Sequence, residues 1–506
     1  MDEKNQEINT LESTIFTSNE EVAVKKSKKK LSGLKILIIL LAVILALGGA
    51  VTAILLTNKD DINNVESYDS TTIKILDNKT LDIEKINIEN VNGKLEFYAA
   101  KVNTEDGEQN TFLLIGFDSE LIADSYITSI ADKAAMLEAL REMGGKGDYG
   151  FDKPNATVKV TGKNGLKDYG FIIGGQSPDK TGYYIKVDGN DKIYLVAASI
   201  ATMFLSKPED LTNNSLILPP NADTVSAEYL SEGSLAYVDS ISISGGNYPQ
   251  AIKIIHTNND MAEYKITSPI NRYAKLDAIS GYLELLTSGI TAQGCFKLNP
   301  TGADYEAFGL TRPDTLIEIK YDKENIKIVA KKQENGNFAL VIDDKKAIYE
   351  VSNEALTVLG YDINSLLNQY VFLEKIEDFN NITFNDNGKS YSFDITYDKN
   401  KNKTEETYNG KKIDDDLFRT YFDYYTYLKP ELSNSYNSNK TEFTATFNYK
   451  DSEKGKIVVA FSKHNERQYL ITIDGNKQGL ISYQEFDNVK NYLQNVINKK
   501  GIPNPA

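Results

Sequence analysis

The sequence predicts an α+β protein: a single N-terminal transmembrane helix followed by about three tandem units with mainly antiparallel sheets. Three observations carry that expectation. An unbroken apolar run, Ile36 to Leu56, lies near the start. A pattern of strand, tight turn, strand and helix then recurs three times. Within each recurrence local hairpins alternate with one longer helix, which implies antiparallel sheets with helices on one face. The 506 residues suit about three domains, and 25% charged with 41% hydrophobic residues is ordinary globular composition.

Taken in order, residues 1–33 are polar, with charge runs and no apolar period, and read as a disordered cytoplasmic tail. Residues 34–57 read as a signal anchor. The 21 residues from Ile36 to Leu56 make roughly 30 Å of helix, enough to cross the hydrocarbon core. A cleaved signal peptide has a shorter apolar region; small residues between Leu45 and Ala50 resemble a cleavage site, and the length favours an anchor. No cysteine follows the run directly, which excludes lipoprotein anchoring. Lys25, Lys26, Lys28, Lys29, Lys30 and Lys35 precede it, whereas Lys59, Asp60 and Asp61 follow. The positive-inside rule therefore places the N-terminus in the cytoplasm and the bulk of the chain outside, a single-pass arrangement in the cell membrane. Within the span, Gly48 with Thr52 and Gly49 with Ala53 put small residues on adjoining helix faces, a spacing that permits close helix approach. Residues 58–70 form a short polar linker.

Three units are expected beyond it: 71–215, 236–370 and a degenerate third at 372–500. In the first, Tyr149-Gly-Phe-Asp-Lys-Pro154 leads into the alternating stretch Ala156 to Val160, after an amphipathic helix expected over Ala131 to Met143. In the second, Phe308-Gly-Leu-Thr-Arg-Pro313 leads into Thr315 to Ile319, after a helix through Leu283 to Leu286. Downstream, Tyr183 to Asn190, Phe338 to Asp344 and Tyr469 to Asn476 each read as a strand ending in a tight turn, followed by another strand and a helix. The third unit lacks the Gly-Pro signature but keeps a helix from Asp415 to Leu428. Spacings shift between copies, which points to divergent tandem domains rather than a strict solenoid.

Charge and cysteine content exclude several functions. Residues 1–60 carry eight lysines against seven acids, so the net −16 of the chain becomes −17 for the rest. Such a domain repels nucleic acid at long range, and with only five arginines, phosphate-clamping forks are scarce. One cysteine, Cys295, rules out an internal disulfide. Together with only His256 and His464 it cannot supply a Cys/His zinc site. Cys295 reads as a small core residue and the two histidines as surface or turn residues.

Local motifs invite chemical readings, each with a simpler rival. Asp474, Asn476, Gln478, Gly479, Ile481, Ser482 and Glu485 fit the positions of a calcium loop. The residues entering it, Gln468 to Ile473, alternate as a strand rather than a helix, so a hairpin turn is favoured. Ser177-Pro-Asp-Lys180 and Lys180-Thr-Gly182 spell two motifs of penicillin-binding enzymes but share Lys180, and Pro178 forbids the helix they need; a turn is expected. Gly388-Lys389-Ser390 has Thr383 where a phosphate loop needs Gly. Asp414, Asp415 and Asp416 precede a helix and suit its N-terminal charge preference. Among 65 acids no glycosidase-like pair stands out. No catalytic, cofactor-binding or metal-ligating residue is nominated.

The residues Tyr149 to Pro154, Gly174 to Pro178, Thr181 to Ile185 and Ile193 to Val196 resemble a bacterial family known as domain of unknown function 4340. The likeness is good in the first unit, partial in the second and weak in the third. It implies a membrane-anchored envelope protein, in some cases encoded beside transporters of the ATP-binding-cassette type, and brings no catalytic residues. The functional expectation is thus a membrane-anchored, extracytoplasmic, non-catalytic binding and assembly protein of the bacterial envelope, accessory to such a transporter. The alternative is a carboxylate-dependent glycan hydrolase. The expected partners are the membrane and a transporter permease or other envelope protein, with no nucleic acid and no cofactor.

Overall fold

The computed structural model describes residues 72–505 apart from 105–106, 145–146, 258, 260, 399, 401–402 and 438–439. The expected tail, anchor and linker lie outside the described residues. Among the described residues no helix is long and apolar enough to cross a membrane. Residues from Thr72 onward form one compact unit, built mostly of antiparallel sheet with helices against it.

Three large sheets follow one another along the chain, with eight, nine and eight strands. Each starts at its centre. In the first, Ile83–Asn90 pairs on one side with Gly93–Thr104, which pairs with Gly107–Leu114. The chain then leaves the sheet through helix α1 (Asp124–Ala135) and returns as Ala156–Gly162 on the other side of the starting strand. From there Tyr169–Gln176, Gly182–Val187 and Ile193–Ala197 are added in turn.

The second sheet starts at Ser240–Ser244, crosses through helix α2 (Leu276–Thr287) and returns at Thr315–Tyr321. The third starts at Phe379–Asp386, crosses through helix α3 (Asp415–Thr426) and returns at Thr441–Tyr449. A further helix, α4 (Tyr483–Ile497), packs beside α3. One path of the chain is therefore used three times.

Alternation explains which face each strand buries. Ile86, Ile88, Leu95, Phe97, Val158 and Val160 point inward from the first sheet, as Ile241, Ile243, Ile252, Ile254, Ile317 and Ile319 do from the second. Phe338–Ile342 is buried at all five positions. Its outer side is covered by Leu310, Phe308 and Phe296, and the rings of Phe308 and Phe296 stack at 5.1 Å. Each such side chain contributes roughly 1.5–3 kcal/mol by leaving water.

The helices carry the matching stripe. The buried stripe of α1 includes Ile127, Ile130, Ala131 and Ala134, and that of α3 Phe418, Tyr421, Phe422 and Tyr425, the i, i+3, i+4, i+7 pattern of one face.

The first helix departs from the expected span of Ala131 to Met143. After Ala135 the exposure switches to period two, with Leu137 and Ala139 buried between exposed Met136 and Glu138. Met136–Ala139 pairs with Ile73–Asp77, and Arg141–Met143 pairs with Ile193–Ala197. Both partners are distant in sequence, and strand pairing overrides the helix propensity of these residues.

The signature before the returning strand is a turn built against its neighbour. Gly150 takes φ 75°, Gly175 N donates to Tyr149 O at 2.8 Å, and the rings of Tyr149 and Tyr184 meet edge to face at 4.7 Å. Gly174 lies so close that a Cβ there would strike Tyr149 O and the Phe151 ring.

Candidate functional site

The residues singled out by motif are mostly absorbed by the fold. Asp474 lies at the hairpin between Gln468–Ile473 and Asn476–Ser482, and its Oδ1 accepts from Val458 N at 2.8 Å. Ser482 and Glu485, the last two of the calcium pattern, form the capping box of α4. Ser482 N donates to Glu485 Oε2 at 2.8 Å and Glu485 N donates to Ser482 Oγ at 3.2 Å. Among the described residues no group of three or more His, Cys, Asp or Glu is placed to hold a metal.

Ser177 and Lys180 sit in a turn, where Ser177 Oγ donates to Asp179 Oδ1 at 2.6 Å and Lys180 takes φ 60°. Gly388 lies in a two-residue hairpin turn with Asn387, both at positive φ. Asp414 caps α3 by accepting from Leu417 N at 3.1 Å. His256 ends a strand and stacks on Tyr237 at 4.4 Å. His464 Nδ1 accepts from Asn437 N at 2.9 Å in a turn. Cys295 is half-buried, and burial pushes its thiol pKa up to about 12, away from thiolate chemistry.

What the motifs do not reveal is the junction of the second and third sheets. At its centre is Arg272, 4% exposed. Its Nη1 donates to Pro430 O at 3.3 Å and Gln478 O at 3.2 Å, and its Nη2 donates to Asn368 O at 2.7 Å and Gln369 O at 3.2 Å. Buried Gln478 answers by donating from Nε2 to Asn271 O at 2.9 Å. Burial lowers the Arg272 pKa to about 10, which still leaves the guanidinium charged at neutral pH.

Beside this lock, a groove of about 520 Å³ is lined from the second sheet by Lys265 and Tyr273 and from the third by Tyr449, Lys454, Lys456 and Asp474. Glu374 and Lys375, from the connecting segment, complete it. Tyr273 Oη donates to Glu374 Oε1 at 3.2 Å. Burial pushes the Glu374 pKa up, while hydrogen bonds from Tyr449 and Tyr273 pull the other way. Burial also raises both phenols. The ammonium of Lys265 lies 5.7 Å from the Tyr273 ring centre and that of Lys454 5.8 Å from the Tyr449 ring centre. The result is a carboxyl held between two phenols under a rim of lysines.

Sequence reasoning missed Arg272, Tyr273, Glu374 and Tyr449, which lie on separate elements and follow no local spacing. The scarcity of arginine was the one available hint that Arg272 has a special place.

No curated protein and no solved structure matches the chain. Residues 121–287 match the family model described as domain of unknown function (DUF4340). The match begins just before α1 and ends with α2, one crossover helix to the next, and it contains the Tyr149 turn. Over that stretch, about a third of the chain, the sequence is similar to the domain of unknown function 4340 family.

Proposed function

We propose that the protein is a non-catalytic binding and assembly protein of the bacterial cell envelope, anchored by Ile36–Leu56 with its bulk outside the cytoplasm. Its lysine-rimmed groove docks an acidic segment of a membrane partner, a subunit of an ATP-binding-cassette transporter. The groove carries this reading. Lys265, Lys375, Lys454 and Lys456 converge there, although residues beyond 60 carry a net −17. These four lysines outnumber the three acids that line the same groove, Glu374, Asp378 and Asp474, and a locally positive groove on an acidic molecule favours an acidic partner over indiscriminate anion binding. Glu374 Oε1 is engaged by a phenol, which fixes the floor of the groove, and among the described residues no thiol or imidazole lines it.

The test is crosslinking in intact cells followed by affinity purification, with the native chain and with Lys265→Glu, Lys454→Glu, Lys456→Glu combined. Transporter subunits are expected with the native chain and lost with the charge-reversed one. Their absence from both, or equal recovery with both, contradicts the reading.

One observation favours a carboxylate-dependent glycan hydrolase as the second reading. Glu374 is biased toward its protonated form, as a general acid needs, and Asp378 and Asp474 line the same groove. Turnover of cell-wall glycan by the purified chain, abolished in Glu374→Gln, would establish it; no turnover by the native chain removes it.

A further inference from the structure

A second groove, lined by Asn271 next to Arg272, differs in chemistry from the first. It holds about 640 Å³, within the ~300–1,000 Å³ range of ligand pockets. Of the twelve described residues that line it only Lys477 is charged, in a chain where 25% of residues are, and the Lys477 ammonium lies 5.5 Å from the Tyr436 ring centre. Four asparagines from four separate segments line the groove, Asn271, Asn364, Asn434 and Asn476, together with apolar Ile270, Ile363 and Leu432.

We propose that this groove binds an uncharged glycan. Each asparagine offers both a donor and an acceptor, as each sugar hydroxyl does, so amides and vicinal hydroxyls are matched in kind. The apolar residues suit the C–H faces of a pyranose. Several groups are already held in place, which lowers the entropy lost on binding. Asn364 Nδ2 donates to Asp362 Oδ2 at 3.3 Å and Asn476 Nδ2 donates to Asp474 O at 3.4 Å. Ser433 N donates to Tyr436 Oη at 3.1 Å, which leaves the phenol hydrogen to donate outward.

An extended peptide fits less well. The nearest sheet edge, Asn476–Ser482, is already paired: Glu431 N donates to Leu480 O at 2.9 Å and Leu480 N to Glu431 O at 2.8 Å. A peptide strand would find that stretch of the ladder occupied. Among the described residues no acid lines the groove, which suits recognition without cleavage. This inference is independent of the docking role given to the lysine-rimmed groove.

The full chain, in a detergent without a sugar headgroup, is titrated calorimetrically with the N-acetylglucosamine tetramer and with the α-1,4-linked glucose tetramer. Saturable binding of one tetramer is expected, insensitive to added salt because the ligand is uncharged. Asn434→Ala with Asn476→Ala, both at exposed positions, should weaken it by about tenfold or more, the loss of one to two hydrogen bonds, with the melting temperature unchanged. Absence of binding by both tetramers overturns the inference. So does binding that the double substitution leaves unaltered, and so does preference for an uncharged Gly/Ser/Asn peptide over both sugars.

Discussion

Glu406 is fully buried, and among the described residues neither of its carboxylate oxygens has a hydrogen-bond partner in good geometry, nor has Oδ1 of buried Asp415. Burial and the neighbouring Asp415 carboxylate push the Glu406 pKa from 4.5 to about 7, against the pull of Thr404 and Arg419. Burial also pushes Asp415 up, but Lys403 at 3.1 Å and Lys412 at 3.6 Å outweigh it and hold its pKa below 3.8. A proton on Glu406 resolves the conflict by turning an unpartnered acceptor into a donor toward Asp415. The sign follows from linkage. The fold keeps a proton that the unfolded chain releases near 4.5, so this stabilisation is complete below about pH 4.5 and is lost as pH rises through about 7. Asp415 acts oppositely, its contribution being lost as pH falls below its unfolded value of 3.8. Chemical unfolding should therefore show the chain less stable at pH 8 than at pH 5 by up to about 3 kcal/mol. Glu406→Gln should flatten that difference, and an unchanged slope in the variant contradicts the assignment. No motif nominates this pair, because a strand residue and a helix start come together through the short hairpin between Lys403–Tyr408 and Lys411–Lys412.

Gly174 makes a second residue-scale prediction. A methyl group there collides with the Tyr149 carbonyl and the Phe151 ring, so Gly174→Ala should cost roughly 2 kcal/mol or more. Gly294→Ala, with open space at its Cβ, should change the melting temperature little. The Tyr149 signature was legible as turn chemistry, but the closeness of its neighbour strand was not.

At the scale of elements, Arg272 ties a two-residue edge strand of the second sheet to carbonyls before and within the third unit. Arg272→Met keeps much of the volume and leaves four carbonyls without their donor. A destabilisation of roughly 3–5 kcal/mol is expected. Hydrogen exchange should rise in Asn476–Ser482 and in residues 428–432 before it rises in the first sheet. Arg272→Lys should recover only part of the loss, since one ammonium cannot reproduce the fork. Hairpins such as those near Asp188 and Asp343 could be read from alternation and turn residues, and their strands pair where the pattern puts them. The end of α1 could not, because Met136 to Met143 is helix-compatible in isolation and becomes strand through partners at Ile73–Asp77 and Ile193–Ala197.

Across the whole molecule, the hydrophobic interior divides unevenly. One continuous core runs through the first two sheets, from Ile83 to Leu367. A separate, aromatic-rich core from Val371 to Val496 holds the third, where the rings of Phe372 and Phe384 each pack against both Tyr425 and Phe447. Calorimetry should therefore resolve two unfolding steps, drawn apart further by Arg272→Met; one sharp transition in both proteins contradicts that division. The α+β class and antiparallel pairing were legible from period-two stretches and turn residues. The merging of two cores into one was not, since it depends on how faces meet rather than on any local pattern. The same reason hid both grooves: each is lined from several elements that sequence distance separates.

The most direct test of the docking role is a photo-crosslinking residue placed at Lys456, on the rim of the lysine-lined groove, in cells expressing the full chain, with the same residue at exposed Asp416 of α3 as control. The account predicts crosslinks to a transporter subunit from position 456 and not from position 416. Equal labelling from both positions, or no transporter subunit from either, would contradict it.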